Sequence, residues 1–327
     1  MKPNLFHYAT SELSQDAFLC WLLAWAEHKH GEESPALHRL GTEFLNSIFK
    51  KVKKDCPRQF DSINVTQQDG GIDILCEINN EIALIIEDKV GTKEHSDQLA
   101  RYKTHVMKKG YSPDKILSVY LQTGDQSDYT GVLKHGYVVY ERIDLLTVLE
   151  SSGGIEAQKV SDVFQEYSAY LRGIEDSVQS YRVLHPKEWS WDSWKGFYSA
   201  LRVALEDGQW DYVANPSGGF LGFWWHFIGN NSCEQYLQLE QEKFCFKIWV
   251  KDPEKRRELR GHWHDKIMDS CSKHQLKAKR PDRFGNGEYM TVAVLDQEYR
   301  AIDDKGILDM KSTIDILRKA ETVLNDM

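Results

Sequence analysis

No uninterrupted apolar run in this 327-residue chain approaches the roughly 20 residues that a bilayer-spanning helix needs. The opening segment, MKPNLFHYATSELSQD, holds no continuous apolar stretch of the secretory kind, and a cytoplasmic location is the expectation. Paired cysteines are missing too: Cys20, Cys56, Cys76, Cys233, Cys245 and Cys271 are scattered, with no CxxC spacing. That argues for reduced thiols and against a disulfide frame. There is no surplus of positive charge. Lys and Arg number 41 against 50 Asp and Glu, a net of −9, which weakens any claim of avid, non-specific binding to nucleic acid and leaves room for an enzyme with a local basic surface. Internal repeats and low-complexity tracts are absent as well.

The chain does hold 10 Trp, 15 Tyr and 13 Phe, enough for more than one core, and its length points to two domains. Residues 11–29 read as a helix, with Ser11 as N-cap, Glu12 in the first turn, and Leu13, Ala17, Cys20, Trp21, Ala24 and Trp25 at helical spacing. A second helix covers 36–54 and ends in basic residues before Pro57. Strands follow at Ile63–Gln67, Ile72–Ile78 and Ile82–Ile86, then a helix from near Lys93 to Lys108, strands at Ile116–Leu121 and Tyr137–Tyr140, and a helix at 158–174. This mixed order predicts a sheet with helices on both sides. A break at Leu184-His185-Pro186 separates residues 1–182 from 187–327. The second region reads as an α+β domain: a helix to about Asp207, a turn at Pro216–Gly219, strands at 220–228, 235–240 and 243–250, a helix at 253–274, a strand at Tyr289–Leu295 and a helix at 309–325.

The strongest chemical signal is Gly71-Ile72-Asp73-Ile74-Leu75 followed by Ile85-Ile86-Glu87-Asp88-Lys89. Here ionisable residues interrupt apolar strands at the edge of a core, where charge is costly unless paired or bound to metal. Ile72, Ile74, Cys76 and Ile78 are expected on one face, and Glu87 and Lys89 share another. A two-residue Asn79-Asn80 loop would set Asp73 opposite Ile86. A three-residue loop or one bulge pairs Ile74 with Ile86, Cys76 with Leu84 and Ile78 with Ile82, and brings Asp73 to Glu87; this register is the one expected. Two facing carboxylates repel unless a cation lies between them, and oxygen donors suit Mg²⁺ or Mn²⁺. With Lys89 nearby, the set describes metal-assisted phosphodiester hydrolysis.

Asp73 with Glu87-x-Lys89 resembles the signature of the PD-(D/E)XK nuclease superfamily, with Ile72 where a proline commonly stands. Gln98-Leu99-Ala100-Arg101-Tyr102 resembles the QxxxY element of its RecB-like branch, and Glu12 resembles a first-helix acid that some members add to the metal site. The resemblance covers residues 11 to about 145. It implies a restriction-endonuclease-like αβββαβ core followed by the C-terminal α+β domain. It implies a Mg²⁺-dependent nuclease in which Asp73, Glu87, the Asp88 carbonyl and Glu12 hold Mg²⁺ or Mn²⁺. Lys89 then positions or deprotonates water or stabilises the pentacovalent charge, and Gln98 and Tyr102 orient the lysine or a phosphate. The implied partner is nucleic acid, DNA first, with no membrane, and a protein partner or homodimer through the C-terminal domain stays open. Such proteins are associated with defence against foreign DNA or with repair.

Each feature also has a plainer explanation. Asp73, Glu87 and Lys89 would be a surface salt-bridge cluster, Glu12 a helix N-terminal acid, and Gln98 and Tyr102 an exposed helix face. The alternative function is a non-catalytic binding or regulatory protein that keeps the fold; a third is a sugar- or peptide-binding module built on Trp189, Trp191, Trp194, Trp224, Trp225 and Trp249, which are expected mainly in a core. His262, His264, Cys271 and His274 match no trusted zinc spacing. Residues 251–283 carry 11 Lys or Arg against 6 Asp or Glu, expected to be a solvated face unless they meet phosphates.

Overall fold

The computed structural model describes residues 3–92, 97–215 and 218–327. The chain divides into two compact units, Met1–Glu175 and Asp176–Met327.

In the first unit, α1 (Glu12–Ala24) starts at Ser11, whose side chain accepts the Ser14 N–H. It is shorter than the expected 11–29, because the chain turns aside to cross α2 (Pro35–Val52) at Gly41. A Cβ on Gly41 would lie 2.7 Å from both the Ala26 nitrogen and the Leu22 carbonyl oxygen, so only glycine allows that crossing. Strands β1 (Ile63–Asp69), β2 (Ile72–Ile78) and β3 (Ile82–Lys89) form an antiparallel meander. Helix α3 (Gln98–Lys108) then leads to β4 (Ile116–Gln122), which pairs parallel to β3, and β5 (Val138–Glu141) pairs parallel to β4. The expected start of α3 near Lys93 lies outside the described residues. The sheet order is β1-β2-β3-β4-β5, and the element order is the αβββαβ of a restriction-endonuclease-like core.

The β2–β3 hairpin has the register expected from parity: Ile74 opposite Ile86, Cys76 opposite Leu84, Ile78 opposite Ile82. Asn79 and Asn80 both take left-handed φ, near 53° and 54°, as their short polar side chains permit. The Glu81 N–H bonds the Ile78 carbonyl at 3.0 Å, yet pairing resumes only at Ile82, so three residues sit in the loop.

Strand β3 is apolar on both faces, as a central strand must be. Leu84 and Ile86 join Ile74, Cys76 and Ile78 against Leu19 and Leu22 of α1 and Phe44 and Ile48 of α2. Ala83 and Ile85 join Leu75 against Leu99, Tyr102 and Val106 of α3. Ile72 corrects the expected pattern: it packs with this second group, at the end of the hairpin where Tyr102 lies over the neighbouring Gly71. Three short helices, α4 (Thr130–Lys134), α5 (Arg142–Leu149) and α6 (Ser152–Ala157), escaped the sequence reading, being too short to show a period. Helix α7 (Asp162–Gln179), four residues later than expected at its start, stacks Tyr167 on Phe18 of α1 at 3.7 Å between ring centres.

The second unit is an antiparallel sheet of order β10-β11-β9-β8-β7-β6. Its strands are β6 (Gln209–Val213), β7 (Phe220–Asn230), β8 (Cys233–Glu240), β9 (Lys243–Val250), β10 (Ala278–Lys279) and β11 (Tyr289–Leu295). Helices α8 (Trp191–Ala204), α9 (Arg256–Lys273) and α10 (Met310–Asn325) complete it. Strands β6 and β10 were not anticipated, and Pro216 and Ser217 of the expected turn lie outside the described residues. Trp189, Trp194 and Trp225 are core residues, Trp224 and Trp249 are half-buried, and Trp191 is exposed. All six cysteines are free thiols. No helix among the described residues is long and apolar enough to cross a membrane.

Candidate active site

The apolar run of β3 ends in Glu87, Asp88 and Lys89, all buried. Alternation sends Glu87 and Lys89 toward α3 and Asp88 toward α1. On the first side, the Lys89 ammonium meets three acids. Its Nζ lies 2.6 Å from Glu87 Oε1, 3.5 Å from Asp73 Oδ2 and 3.8 Å from Glu12 Oε2. It also donates to the Asp88 carbonyl at 2.8 Å. Asp73 arrives from β2, and its Oδ2 accepts the Asp88 N–H at 3.0 Å, which ties the two strand ends together beyond their last regular pair. Glu12 arrives from the first turn of α1, and its Oε1 accepts the Thr92 hydroxyl at 2.6 Å and the Val90 N–H at 3.4 Å. The crossing of chain at this rim is tight: a Cβ on Gly124 would lie 1.9 Å from the Val90 carbonyl oxygen.

Gln98 opens α3 and its amide donates to Glu87 Oε1. It is thus bonded to the same acid oxygen that pairs with Lys89. Tyr102, one turn on, is buried beside Gln98, and burial followed by the charges of Glu87 and Asp73 pushes its hydroxyl up to about 12.

Acids outnumber cations here. Burial, then the Asp73 charge, pushes Glu87 up to about 8. Burial alone would lower Lys89, but its hydrogen bond to Glu87 and the charges of Glu87, Asp73 and Glu12 outweigh it and raise the ammonium above its usual value. Both changes point the same way, Glu87 chiefly because it is buried and Lys89 because its acid neighbours outweigh burial. Glu87 Oε2 is buried and finds no donor among the described residues. Among those residues no three His, Cys, Asp or Glu side chains stand as a closed ligand set, since Lys89 occupies the point where the acids meet. The donors are all hard oxygens, and an orphaned buried carboxylate oxygen is the feature a divalent cation satisfies. The residues present therefore fit Mg²⁺ or Mn²⁺.

Behind the strand lies a second polar group that sequence reasoning missed. Gln15 donates to Asp88 Oδ1 at 2.6 Å and accepts from the Thr123 hydroxyl and the Tyr167 hydroxyl, both at 2.9 Å. Asp16 is buried beside Asp88. Burial, then the Asp73 charge, pushes Asp16 up to about 6, and burial, then Asp16, raises Asp88 well above the usual range. The signal was present: Glu12, Gln15 and Asp16 are three and four apart on an otherwise apolar helix. Gln122 was missed too; it pairs across the parallel ladder with Lys89 and is buried. Asp69, left without a role, bonds His105 at 3.0 Å and Lys109 on α3. His264 bonds the Val292 carbonyl and His274 pairs with Asp326, so these histidines face separate partners.

The structure thus brings Asp73, Glu87, Lys89, Gln98 and Glu12 to one point, with Tyr102 alongside, and turns the Asp88 side chain away while leaving its carbonyl there. No curated protein and no solved structure matches the chain. A family model of the PD-(D/E)XK nuclease superfamily matches residues 3–172, just over half of it and the whole of this site. The chain belongs to the PD-(D/E)XK nuclease superfamily.

Proposed function

We propose that the chain is a metal-dependent nuclease that hydrolyses phosphodiester bonds of DNA, with the second unit as an accessory domain. The convergence of Asp73, Glu87 and Glu12 on Lys89 carries this reading. Asp73, Glu87 and the Asp88 carbonyl would hold Mg²⁺ or Mn²⁺, with Glu12 adding a further acid. Such an ion supplies charge to polarise the scissile phosphate and to lower the pKa of water.

The chain's own residues do the rest. Gln98 fixes one Glu87 oxygen, so the carboxylate keeps its aim. Asp73 is held by the Asp88 N–H and cannot swing away. Lys89 stands among the acids at 2.6 to 3.8 Å, placed to stabilise negative charge on the reacting phosphate or to position the water. Tyr102 keeps its hydroxyl proton and remains a donor. In the reaction, water oxygen bonds to phosphorus, the bond from phosphorus to the leaving oxygen breaks, and the water's proton passes to solvent or an acid of the cluster.

The test pairs cleavage with binding. Wild type should cut DNA only with added Mn²⁺ or Mg²⁺, and Mn²⁺ alone should raise its melting temperature by mass action. Asp73→Asn should lose both responses. A wild type that neither cuts DNA nor melts higher with Mn²⁺ ends the proposal.

A further inference from the structure

The basic residues of the molecule fall into two kinds. Those closing α2 are engaged: Lys51 pairs with Asp144 at 2.6 Å and Lys54 bonds the Asp114 carbonyl. Those of residues 251–283 bond backbone carbonyls at Arg256 and Arg260 but are short of acidic partners. Of the 11 Lys and Arg there, Lys279 pairs with Asp296 at 2.8 Å, and the other ten have no acidic partner among the described residues. In a chain of net charge −9, that is a concentration of uncompensated positive charge.

Its centre is built. Two guanidinium groups share the Phe284 ring: Arg260 is 5.1 Å and Arg280 4.4 Å from its centre. Arg260 also donates to the Gly285 carbonyl. The His264 ring meets Phe284 edge-on at 5.2 Å and is anchored on the Val292 carbonyl at 2.7 Å. Two like charges held over one ring repel each other, and among the described residues neither arginine has a carboxylate in salt-bridge contact. A guanidinium fixed this way keeps its remaining N–H donors free for a bidentate acceptor, and little side-chain freedom is left to lose on binding.

We infer that the surface of α9 around Arg260, Arg280 and Phe284 is a phosphate-contacting face for nucleic acid, separate from the acidic cluster of the first unit. The choice of DNA as the polyanion rests on the nuclease reading. A lipid surface fits less well, since none of the large apolar side chains exposed among the described residues falls between 251 and 288 to insert into a membrane.

The experiment is DNA binding without cleavage: fluorescence anisotropy of a duplex of about 20 base pairs in EDTA, from about 50 to about 200 mM KCl. The double variant Arg260→Ala, Arg280→Ala should lower the log–log salt slope by about 2 and weaken binding about tenfold, alike for unrelated sequences. Arg260→Lys, Arg280→Lys keeps the charges and should keep most of the slope. If the alanine pair fails to fold by circular dichroism, Arg280→Gln alone reads the same quantity, with a drop of about 1. Unchanged affinity and slope in a folded variant overturn the inference, even if the wild type cleaves DNA. Loss of binding to phosphatidylglycerol vesicles with DNA binding intact overturns it as well. If the wild type cuts nothing, yet binding still depends on these arginines, this inference stands and the nuclease reading falls.

Discussion

On the α3 side of β3, Glu87 and Lys89 meet Asp73, Glu12 and Gln98; on the α1 side, Asp88 meets Gln15 and Asp16. Neighbouring residues of one strand thus enter two kinds of polar cluster. The first has more acids than its single ammonium balances and leaves Glu87 Oε2 without a donor. The second is sealed beneath Tyr167 and organised by one amide, Gln15, which makes three hydrogen bonds. The first gathers its acids around an ammonium at the strand ends; the second ties Asp88 to two hydroxyls through a neutral amide, while Asp88 Oδ2 and Asp16 Oδ1 stay without donors among the described residues. The difference teaches that burial alone does not mark a functional acid. Nor does an orphaned oxygen, since Asp16 Oδ1 and Asp88 Oδ2 lack donors there as well; what sets the first group apart is that three acids converge on one ammonium.

The contrast breaks most sharply at Asp73. Asp73→Asn keeps an acceptor for the Asp88 N–H but removes a charge. Cleavage should fall by about two to three orders of magnitude, while the melting temperature holds or rises as repulsion at Glu87 eases. A melting temperature that drops along with activity would make this face structural. The reverse is expected behind the strand. Gln15→Leu strands Asp88 and two buried hydroxyls, at about 1–3 kcal/mol for each group left unpaired. Urea unfolding should show a loss of about 3 kcal/mol or more, and a loss under about 1 kcal/mol would deny the network its role.

Asp16→Asn sharpens the same point from the other side. Its amide can donate to Asp88, so stability should hold or rise by about 1 kcal/mol, read by the same unfolding curve. A clear loss would mean the pair needs its charge. The smallest effect belongs to Asp69, whose hydrogen bond to Lys109, helped by His105, holds its carboxyl below the usual 3.8. A depressed acid stabilises the fold above 3.8, and that contribution fades as the pH falls through the lowered value. The melting temperature of wild type should therefore exceed that of Asp69→Asn at neutral pH, by an amount worth under about 1 kcal/mol, and the two should converge in acid. A gap that persists in strong acid would assign the effect to packing.

Much of the site was legible because hairpins write their register locally. Asp73, Glu87 and Lys89 lie within 17 residues, and the period of two in Ile74, Cys76 and Ile78 against Ile82, Leu84 and Ile86 admits only one pairing that buries both apolar sets. Gln98 and Tyr102, four apart, announced a shared helical face. Gln122 was beyond reach: its place beside Lys89 depends on a parallel register set across α3, and no local period encodes that. Gln15 and Asp16 stood out as polar residues on an apolar helix, but Asp88, their counterpart, lies more than 70 residues on. In the second unit the alternation of β7, β8 and β9 was readable, while β10, two residues long, offers no pattern.

By itself the sequence determined the order of the longer elements, the hairpin register and the convergence of two acids and a lysine, since side-chain parity and hydrophobic burial act between near neighbours. Only the tertiary structure decided that Glu12 reaches Lys89, that Gln98 bonds Glu87, that Asp88 faces away into the Gln15 network, and that Arg260 and Arg280 share one ring. Those outcomes depend on how distant elements pack, and the packing of α1, α3 and α9 against their sheets is a property of the assembled core, not of any stretch of chain within it.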